Sequence, residues 1–181
     1  MKVKSIISAA IILLIILWSV RIYKVNSKVS SETWYGIGDT IECGDITIQA
    51  YGSGIDKVDI FCRDNGIDPE EVDSADCYIV YVGLRIANRS QKDISRNELI
   101  EFINWGFESD IWGSAADPVL TDLLNDTGTG SVAPGESFEL KLATEINASL
   151  FRPEHFEKIK EYDYYYILRI YPDKIGIKLD V

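Results

Sequence analysis

The chain has 181 residues and a formal charge of −11, and its acidic residues are unevenly placed. All 29 aspartates and glutamates follow Lys28, where only 13 of the 18 basic residues lie, so this part carries a formal charge of −16. This negative charge excludes nucleic acid as a partner and disfavours anionic lipid. It favours basic partners, or it serves only to keep the protein soluble. Three cysteines are too few for a disulfide-built scaffold.

The first element is an uncharged apolar run, Ile6–Val20, with two lysines before it and Arg21 and Lys24 after it. A membrane-spanning helix needs about 20 apolar residues, and its flanking basic side chains can reach the interfaces. We therefore expect residues 1–24 to form a single N-terminal transmembrane helix that holds the protein in the cell membrane. A cleaved signal peptide is the alternative, since Val25-Asn26-Ser27 is a passable cleavage site.

The remaining chain begins with a polar linker, residues 25–33, and the domain follows over residues 34–181. Basic residues flank the anchor almost equally on its two sides, so charge does not fix which side of the membrane the domain occupies.

Apolar residues of the domain recur mainly with a period of two, which predicts strands. Tyr78–Asn88 is the strongest, with Val80, Val82, Leu84 and Ile86 on one face. Other predicted strands cover Ile46–Ala50, Val58–Cys62, Phe102–Glu108, Ser137–Ile146, Tyr166–Ile170 and Ile175–Val181, the last two forming a hairpin.

Helical patterns are short: one covers Arg152–Tyr162, with Pro153 in its first turn, and Asp117–Leu124 has room for one or two turns. The pattern predicts an all-β fold, an antiparallel two-sheet sandwich with one short helix.

The order of turn motifs adds a resemblance. Turn motifs precede or follow the predicted strands, and a predicted hairpin ends the domain. The motifs are Gly38-Asp39, Gly44–Ile48, Ala87–Ser90 and Ala133–Glu136. The chain resembles the uncharacterised immunoglobulin-like domains that follow an anchor or lipid-attachment site in Gram-positive bacterial surface proteins. The resemblance implies an immunoglobulin-like, extracellular domain on a single-pass anchor, facing outside, and it offers no catalytic residue. The acidic stretch before Cys77 and the long loop 113–130 depart from it.

No catalytic or cofactor-binding pattern stands out. His155 is the single histidine, and a triad or a histidine-based metal site needs a further partner. Gly128-Thr129-Gly130 lacks the lysine and the helix of a phosphate-binding loop. We expect no enzymatic activity and no cofactor.

Aromatic residues are candidates either for a sugar-stacking platform or, more commonly, for the core of a sandwich. The set is Trp34, Trp105, Trp112, Tyr162, Tyr164, Tyr165 and Tyr166. Asn88, Asn125 and Asn147 begin three-residue matches to glycosylation acceptors, which are common by chance.

The segment from Cys62 to Cys77 is the most unusual part of the domain. Its carboxylates are candidate Ca²⁺ ligands, because that ion takes six to eight oxygens from flexible sites. They are Asp64, Asp68, Glu70, Asp73 and Asp76. Cys62 and Cys77 adjoin predicted strands and are candidates for a disulfide. A solvated acidic loop with free thiols is the alternative.

These observations predict a membrane-anchored extracytoplasmic module that binds an unknown protein or envelope component without catalysis. Two alternatives follow from the charge. One is an immunity-type inhibitor of a basic toxin at the membrane, and the other is a calcium-dependent structural domain.

Overall fold

The structure, a computed structural model, describes residues 2–26, 32–72, 76–103, 105–125, 130–170 and 173–181, with side chains from residue 11 to 24 and from residue 32 onward. The helices are α1 (Lys2–Asn26), α2 (Val58–Asn65), α3 (Arg96–Ile103), α4 (Pro118–Leu124) and α5 (Pro153–Phe156). The strands are β1 (Glu32–Tyr35), β2 (Thr40–Cys43), β3 (Ile46–Lys57), β4 (Cys77–Asn88), β5 (Ile94–Ser95), β6 (Gly106–Ser109), β7 (Trp112–Ser114), β8 (Ser131–Val132), β9 (Ser137–Asn147), β10 (Tyr164–Arg169) and β11 (Lys174–Lys178).

Two sheets form a β-sandwich. One has the order β2-β3-β4-β9 and is antiparallel throughout, and the other has the order β1-β11-β10-β6-β7. A short pair, β5 with β8, lies apart from both. The sandwich prediction is confirmed, and the β10–β11 hairpin with it.

Two details of the prediction are wrong. β1 runs parallel to β11, so the second sheet is mixed rather than antiparallel. Short helices are also more numerous than the one expected.

The core lies between the sheets and matches the face predicted for β4. Val80, Val82, Leu84 and Ile86 are fully buried in it, together with apolar residues from both sheets and α3. At about 25 cal/mol per Å² of apolar surface removed from water, this layer is the main stabilising contact of the fold.

A bulge at Tyr51 keeps the long strand β3 in that core. Its register against β4 shifts between Ala50 and Gly52, which leaves Tyr51 as the extra residue. Ile48 before the bulge and Ile55 after it would otherwise point to opposite faces, because their spacing is odd. Both are buried in the same core.

Val58–Cys62, predicted as a strand, lies in helix α2 (Val58–Asn65). Gly66 ends it in the left-handed conformation, with φ of 69°. The N–H of Gly66 bonds the carbonyl of Arg63 and that of Ile67 bonds Cys62 O at 2.9 Å, the paired bonds of a Schellman motif. Phe61 and Cys62 are buried together with Ile67, so helical packing overrides the accidental period of two.

A second apolar cluster lies on the outer face of the four-stranded sheet. It joins Ile79 and Ala143 of the sheet to Phe61 of α2 and Leu120 of α4. Asp117 caps α4 by accepting a bond from Leu120 N at 3.0 Å. The sandwich therefore has a third, partial layer of helices.

The free edge of β9 is occupied by a side chain. Asn125 accepts a bond from Lys141 N and donates one to Lys141 O, each at 2.7 Å. Asp117 N donates to Ala143 O, one pleat further along the same edge. These bonds take the positions that another strand would otherwise fill.

Helix α1 exposes the described part of its apolar surface. Its large apolar side chains from Ile11 to Tyr23 are between 48% and 73% exposed. Within the residues whose side chains are described, no helix is both long and apolar enough to cross a membrane.

Candidate functional site: an apolar pocket at the end where the chain enters

A pocket of about 590 Å³ opens at one end of the sandwich. It forms where the β2–β3 hairpin, the end of α3 and the adjoining ends of β10 and β11 meet. Its lining residues are Glu42, Cys43, Gly44, Ile48, Glu101, Phe102, Ile103, Trp105, Leu168, Arg169 and Ile175. Pockets of this size, mainly apolar with a few convergent polar groups, are the usual form of a binding site.

The chain enters the domain beside this pocket. β1 begins at Glu32 opposite Lys174, and Thr33 is paired with Ile175, which lines the pocket. The acidic segment lies at the other end, where Cys77 begins β4 opposite Asn147, the last residue of β9. The pocket is thus at the end of the domain at which β1, the first strand, begins.

Three large apolar side chains remain exposed around the pocket. Phe102 is 53% exposed and Trp105 is 49% exposed, and both line it. Ile170, 55% exposed, lines a neighbouring depression of about 330 Å³ that shares Trp105. Exposed apolar side chains are ordinary when scattered, but grouped around a concavity they indicate an interaction site.

Backbone and side-chain bonds hold this group in place. The Trp105 indole donates to Phe102 O at 3.2 Å, and Trp105 N donates to Ile103 O at 2.8 Å. The hydroxyl of the buried Tyr166 donates to the same Ile103 carbonyl. Burial raises the pKa of Tyr166 above its usual range, so this donor keeps its proton even where an exposed tyrosine would lose it.

The charge around the pocket is mainly negative. Among the described residues that line it, Glu42 and Glu101 are exposed carboxylates, and Arg169 is the single cation. A third depression of about 220 Å³ shares Cys43 and Phe102 with the pocket and adds Asp45 and Glu98. The Arg169 side chain donates through Nε to Asp173 O at 3.2 Å, which orients it along the rim.

Cys43 places a thiol in the wall of the pocket. Its residue is partly exposed, whereas Cys62 is fully buried. Burial raises the pKa of the Cys43 thiol, and the nearby Arg169 guanidinium offsets part of that rise. The thiol is therefore mostly protonated at neutral pH and gives a chemical label for the pocket rather than an activated nucleophile.

The described carboxylates among the predicted calcium ligands have individual surroundings and do not share one site. Asp64 accepts from Arg63 Nε at 2.9 Å, and Asp68 caps the 3₁₀ turn Pro69–Glu71 by accepting from Glu70 N at 3.0 Å. Asp76 is exposed, and Asp73 lies outside the described residues. Among described residues, no three Asp, Glu, His or Cys side chains come together as a metal-binding group.

Measuring the melting temperature at increasing Ca²⁺ concentration tests these candidates directly, because an ion that binds the folded state raises the melting temperature.

Cys62 and Cys77 lie in the same buried cluster on the outer face of the four-stranded sheet. Cys62 is a thiol whose pKa is raised by burial and then by Asp59. The disulfide stays a prediction, and mass spectrometry of the alkylated, non-reduced protein tests it. In the chain-entropy model a bridge closing a loop of about 15 residues contributes about 3 kcal/mol.

The candidate aromatic residues fall into different environments. Tyr164 and Tyr166 are in the core, and Trp112 packs against it. Trp34 lies on the outer face of the five-stranded sheet, 4.6 Å from the ring of Tyr165 and directly over Gly176. Of the predicted set, Trp105 alone lines the pocket.

Other singled-out residues have structural roles. His155 Nδ1 lies 3.0 Å from the Tyr162 hydroxyl. Asn88 is fully buried, donating to Lys92 O and Val132 O at 2.7 and 2.8 Å, and Asn125 is bonded to Lys141. Asn147 accepts a bond from Ser149 N at 2.9 Å. Bonded in this way, the buried Asn88 amide is closed to glycosylation.

Sequence reasoning missed the pocket because its residues are far apart in the chain. The available signal is the apolar group Phe102, Ile103 and Trp105, which falls within the predicted strand Phe102–Glu108. In the structure Ile103 ends α3, and β6 begins only at Gly106.

Three solved structures are similar to this chain. An uncharacterized β-sandwich protein from Clostridium difficile 630 is 12% identical, with a TM-score of 0.51 over 83% of this chain and 96% of that one. A conserved hypothetical protein from Bacillus anthracis is 12% identical, with a TM-score of 0.46 and coverage of 72% and 87%. The yjhA protein from Bacillus subtilis is 15% identical, with a TM-score of 0.44 and coverage of 81% and 99%.

No protein family and no curated protein matches the chain. The expected likeness to uncharacterised β-sandwich proteins of Gram-positive bacteria is confirmed at the level of the fold. The first of the three structures shows that fold, and at 12% identity the likeness extends no further.

Proposed function

We propose that this protein is a membrane-anchored, extracytoplasmic binding module that takes part of its partner into the apolar pocket. The observation that carries the proposal is the grouping of exposed Phe102 and Trp105 around a pocket of about 590 Å³. Leaving two large rings in water is unfavourable by about 25 cal/mol per Å² of apolar surface, and a bound partner removes that cost.

Helix α1 supplies the anchor in this proposal. It is a 25-residue helix, about 37 Å long at 1.5 Å per residue, and its described apolar side chains are exposed around the helix. A helix that is apolar on all sides needs an apolar surrounding, and a bilayer provides one.

The outward orientation and the immunoglobulin-like character of the sandwich belong to the same proposal. Both rest on the resemblance carried by the turn motifs, since the flanking charges do not decide the orientation. The acidic surface suits a soluble domain outside the membrane.

Site-specific photo-crosslinking in intact cells tests the binding site. A benzoylphenylalanine at position 102 should form an adduct with a partner, whereas the same residue at Val119, 59% exposed on α4 and outside the pocket lining, should not. Equal adducts from both positions, or none from position 102, would contradict the proposal.

The immunity-type inhibitor stays as a second candidate because of the formal charge of −16 after Lys28. An inhibitor held mainly by charge should lose its basic toxin steeply as salt rises, since exposed charges are screened beyond about 10 Å at 0.1 M salt. A partner held by the apolar pocket should remain bound.

A further inference from the structure

We propose that the partner enters the pocket with a polypeptide segment that carries large apolar side chains next to lysine or arginine. The inference rests on the proposed binding function of the pocket and specifies the chemistry of its occupant.

The shape of the surface favours a segment over a compact small molecule. The pocket shares Trp105 with the depression beside it and shares Cys43 and Phe102 with the third depression. The three depressions therefore adjoin one another at this end of the sandwich, from Ile170 to Ile94, and the one with Ile170 extends along β6, β7 and β10; together we call them the groove. An extended or helical segment can fill such a groove with alternate side chains.

The walls determine what the segment presents at its centre. Ile48, Ile103 and Leu168 make the floor, and Phe102 and Trp105 make the exposed sides. Such a lining desolvates large aliphatic or aromatic side chains, the residues that dominate the energy of most interfaces.

The rim determines the charge. Glu42 and Glu101 lie at the pocket, and Asp45 and Glu98 lie at the third depression, whereas Arg169 is the cation among the described lining residues. Glu108 lines the depression beside Trp105, where it pairs with Lys174. The four remaining carboxylates and one guanidinium leave a local charge of −3, in a domain that is itself strongly negative. A partner segment with lysine or arginine beside its apolar residues is complementary to this negative charge, whereas an acidic segment is repelled.

The position of the groove makes the bilayer the competing occupant, because the chain enters the domain beside it. The same four carboxylates oppose contact with anionic headgroups, whose surface potential is negative. The observations therefore favour a basic segment over the lipid surface.

The test uses the full-length protein in phosphatidylcholine nanodiscs and follows alkylation of Cys43. Cys43 lines the groove while Cys62 and Cys77 are buried, so mass spectrometry of the alkylated Cys43 peptide reports occupancy. The probes are three synthetic peptides of equal length. The first contains leucine and lysine, the second has glutamate in place of lysine, and the third has serine in place of leucine. We expect the first peptide alone to slow alkylation.

A charge-matched pair of variants separates the rim from the general field. Glu42→Gln with Glu101→Gln should weaken protection by the first peptide about fivefold, the sum of two exposed ion pairs. Glu70→Gln with Glu71→Gln removes the same charge from the exposed 3₁₀ turn and should leave protection unchanged. Equal weakening by both pairs would overturn the proposed role of the rim.

Other results overturn the inference in distinguishable ways. Equal protection by the glutamate peptide would reject the basic preference and keep the pocket as a binding site. Failure of all three peptides would reject a peptide segment of this kind, and the crosslink from position 102 would then decide the proposed function separately. Alkylation that is already slower in nanodiscs than in detergent, before any peptide is added, would assign the groove to lipid.

Discussion

At the scale of single residues, the face on which a side chain lies in β4 and its neighbours decides the cost of replacing it. Val82 is fully buried between Ser53 and Leu142, whereas Thr40 is exposed on the edge strand β2. Val82→Asp buries an unpaired carboxylate and should lower the free energy of unfolding by about 4 kcal/mol or more. Thr40→Asp should change it by about 0.5 kcal/mol. Urea unfolding measures both, and similar values would mean that the faces are assigned wrongly.

Tyr166 gives the fold a dependence on alkaline pH. Its folded-state pKa is raised above the ordinary value of 10.0 by burial, so the folded protein keeps a proton that the unfolded chain releases. That contribution is fully present below pH 10 and is lost as pH rises further, with a slope of about 1.4 kcal/mol per pH unit. Tyr166→Phe should reduce the slope of unfolding free energy between pH 10 and 11.5. An unchanged slope would show that Tyr166 does not titrate in this way.

At the scale of elements, the free edge of β9 depends on one amide. Asn125 pairs with both the N–H and the C=O of Lys141, in place of a neighbouring strand. Asn125→Ala should lower the free energy of unfolding by about 2 kcal/mol, because partly buried backbone groups lose their partners. It should also promote self-association through the exposed edge. Asn97→Ala, on the exposed surface of α3, is the control. Sedimentation measures self-association, and urea unfolding measures the free energy of unfolding. Equal results for the two variants would contradict the proposed role of Asn125 at the edge of β9.

The elements also show where sequence reasoning succeeds. Alternation identified β4, β9 and the β10–β11 hairpin, because each has one face against a continuous core. It failed at α2, where a period of two arose by chance and the decisive contacts come from distant residues such as Leu120 and Ala143. It also could not foresee the parallel pairing of β1 with β11, since a strand of four residues carries no signal for its partner.

The pocket illustrates the same limit for function. Its walls come from β2, from α3 and from the adjoining ends of the β10–β11 hairpin, and more than 50 residues separate β2 from α3 and α3 from the hairpin. Composition marked the acidic segment near Cys77 instead, since a local run of charge is visible in sequence and a concave surface is not. The one visible clue was a cluster of large apolar residues, Phe102 to Trp105, just before a glycine that begins a strand.

At the scale of the whole molecule, the two ends of the domain have different character. The end at which the chain enters carries the groove, whereas the opposite end carries α5, the acidic segment and the C-terminal residues beside Ser53. If α1 spans the membrane as proposed, the groove is held near the bilayer, because Glu32 follows Asn26 by six positions and six residues reach at most about 22 Å. Partners near the bilayer surface would then meet the groove before they meet the acidic segment.

The final prediction concerns attachment and orientation of the full chain. If α1 spans the membrane and the domain lies outside, protease added to intact cells should remove the domain and leave a short membrane-protected fragment, because the bilayer shields α1 alone. Immunoblotting with tags at each end measures both products, and a cytoplasmic protein serves as the control for intact cells. Complete protection of the domain would reverse the orientation. Free domain in the medium, beginning near Lys28, would replace the anchor by a cleaved signal peptide, and the groove would then act on soluble partners.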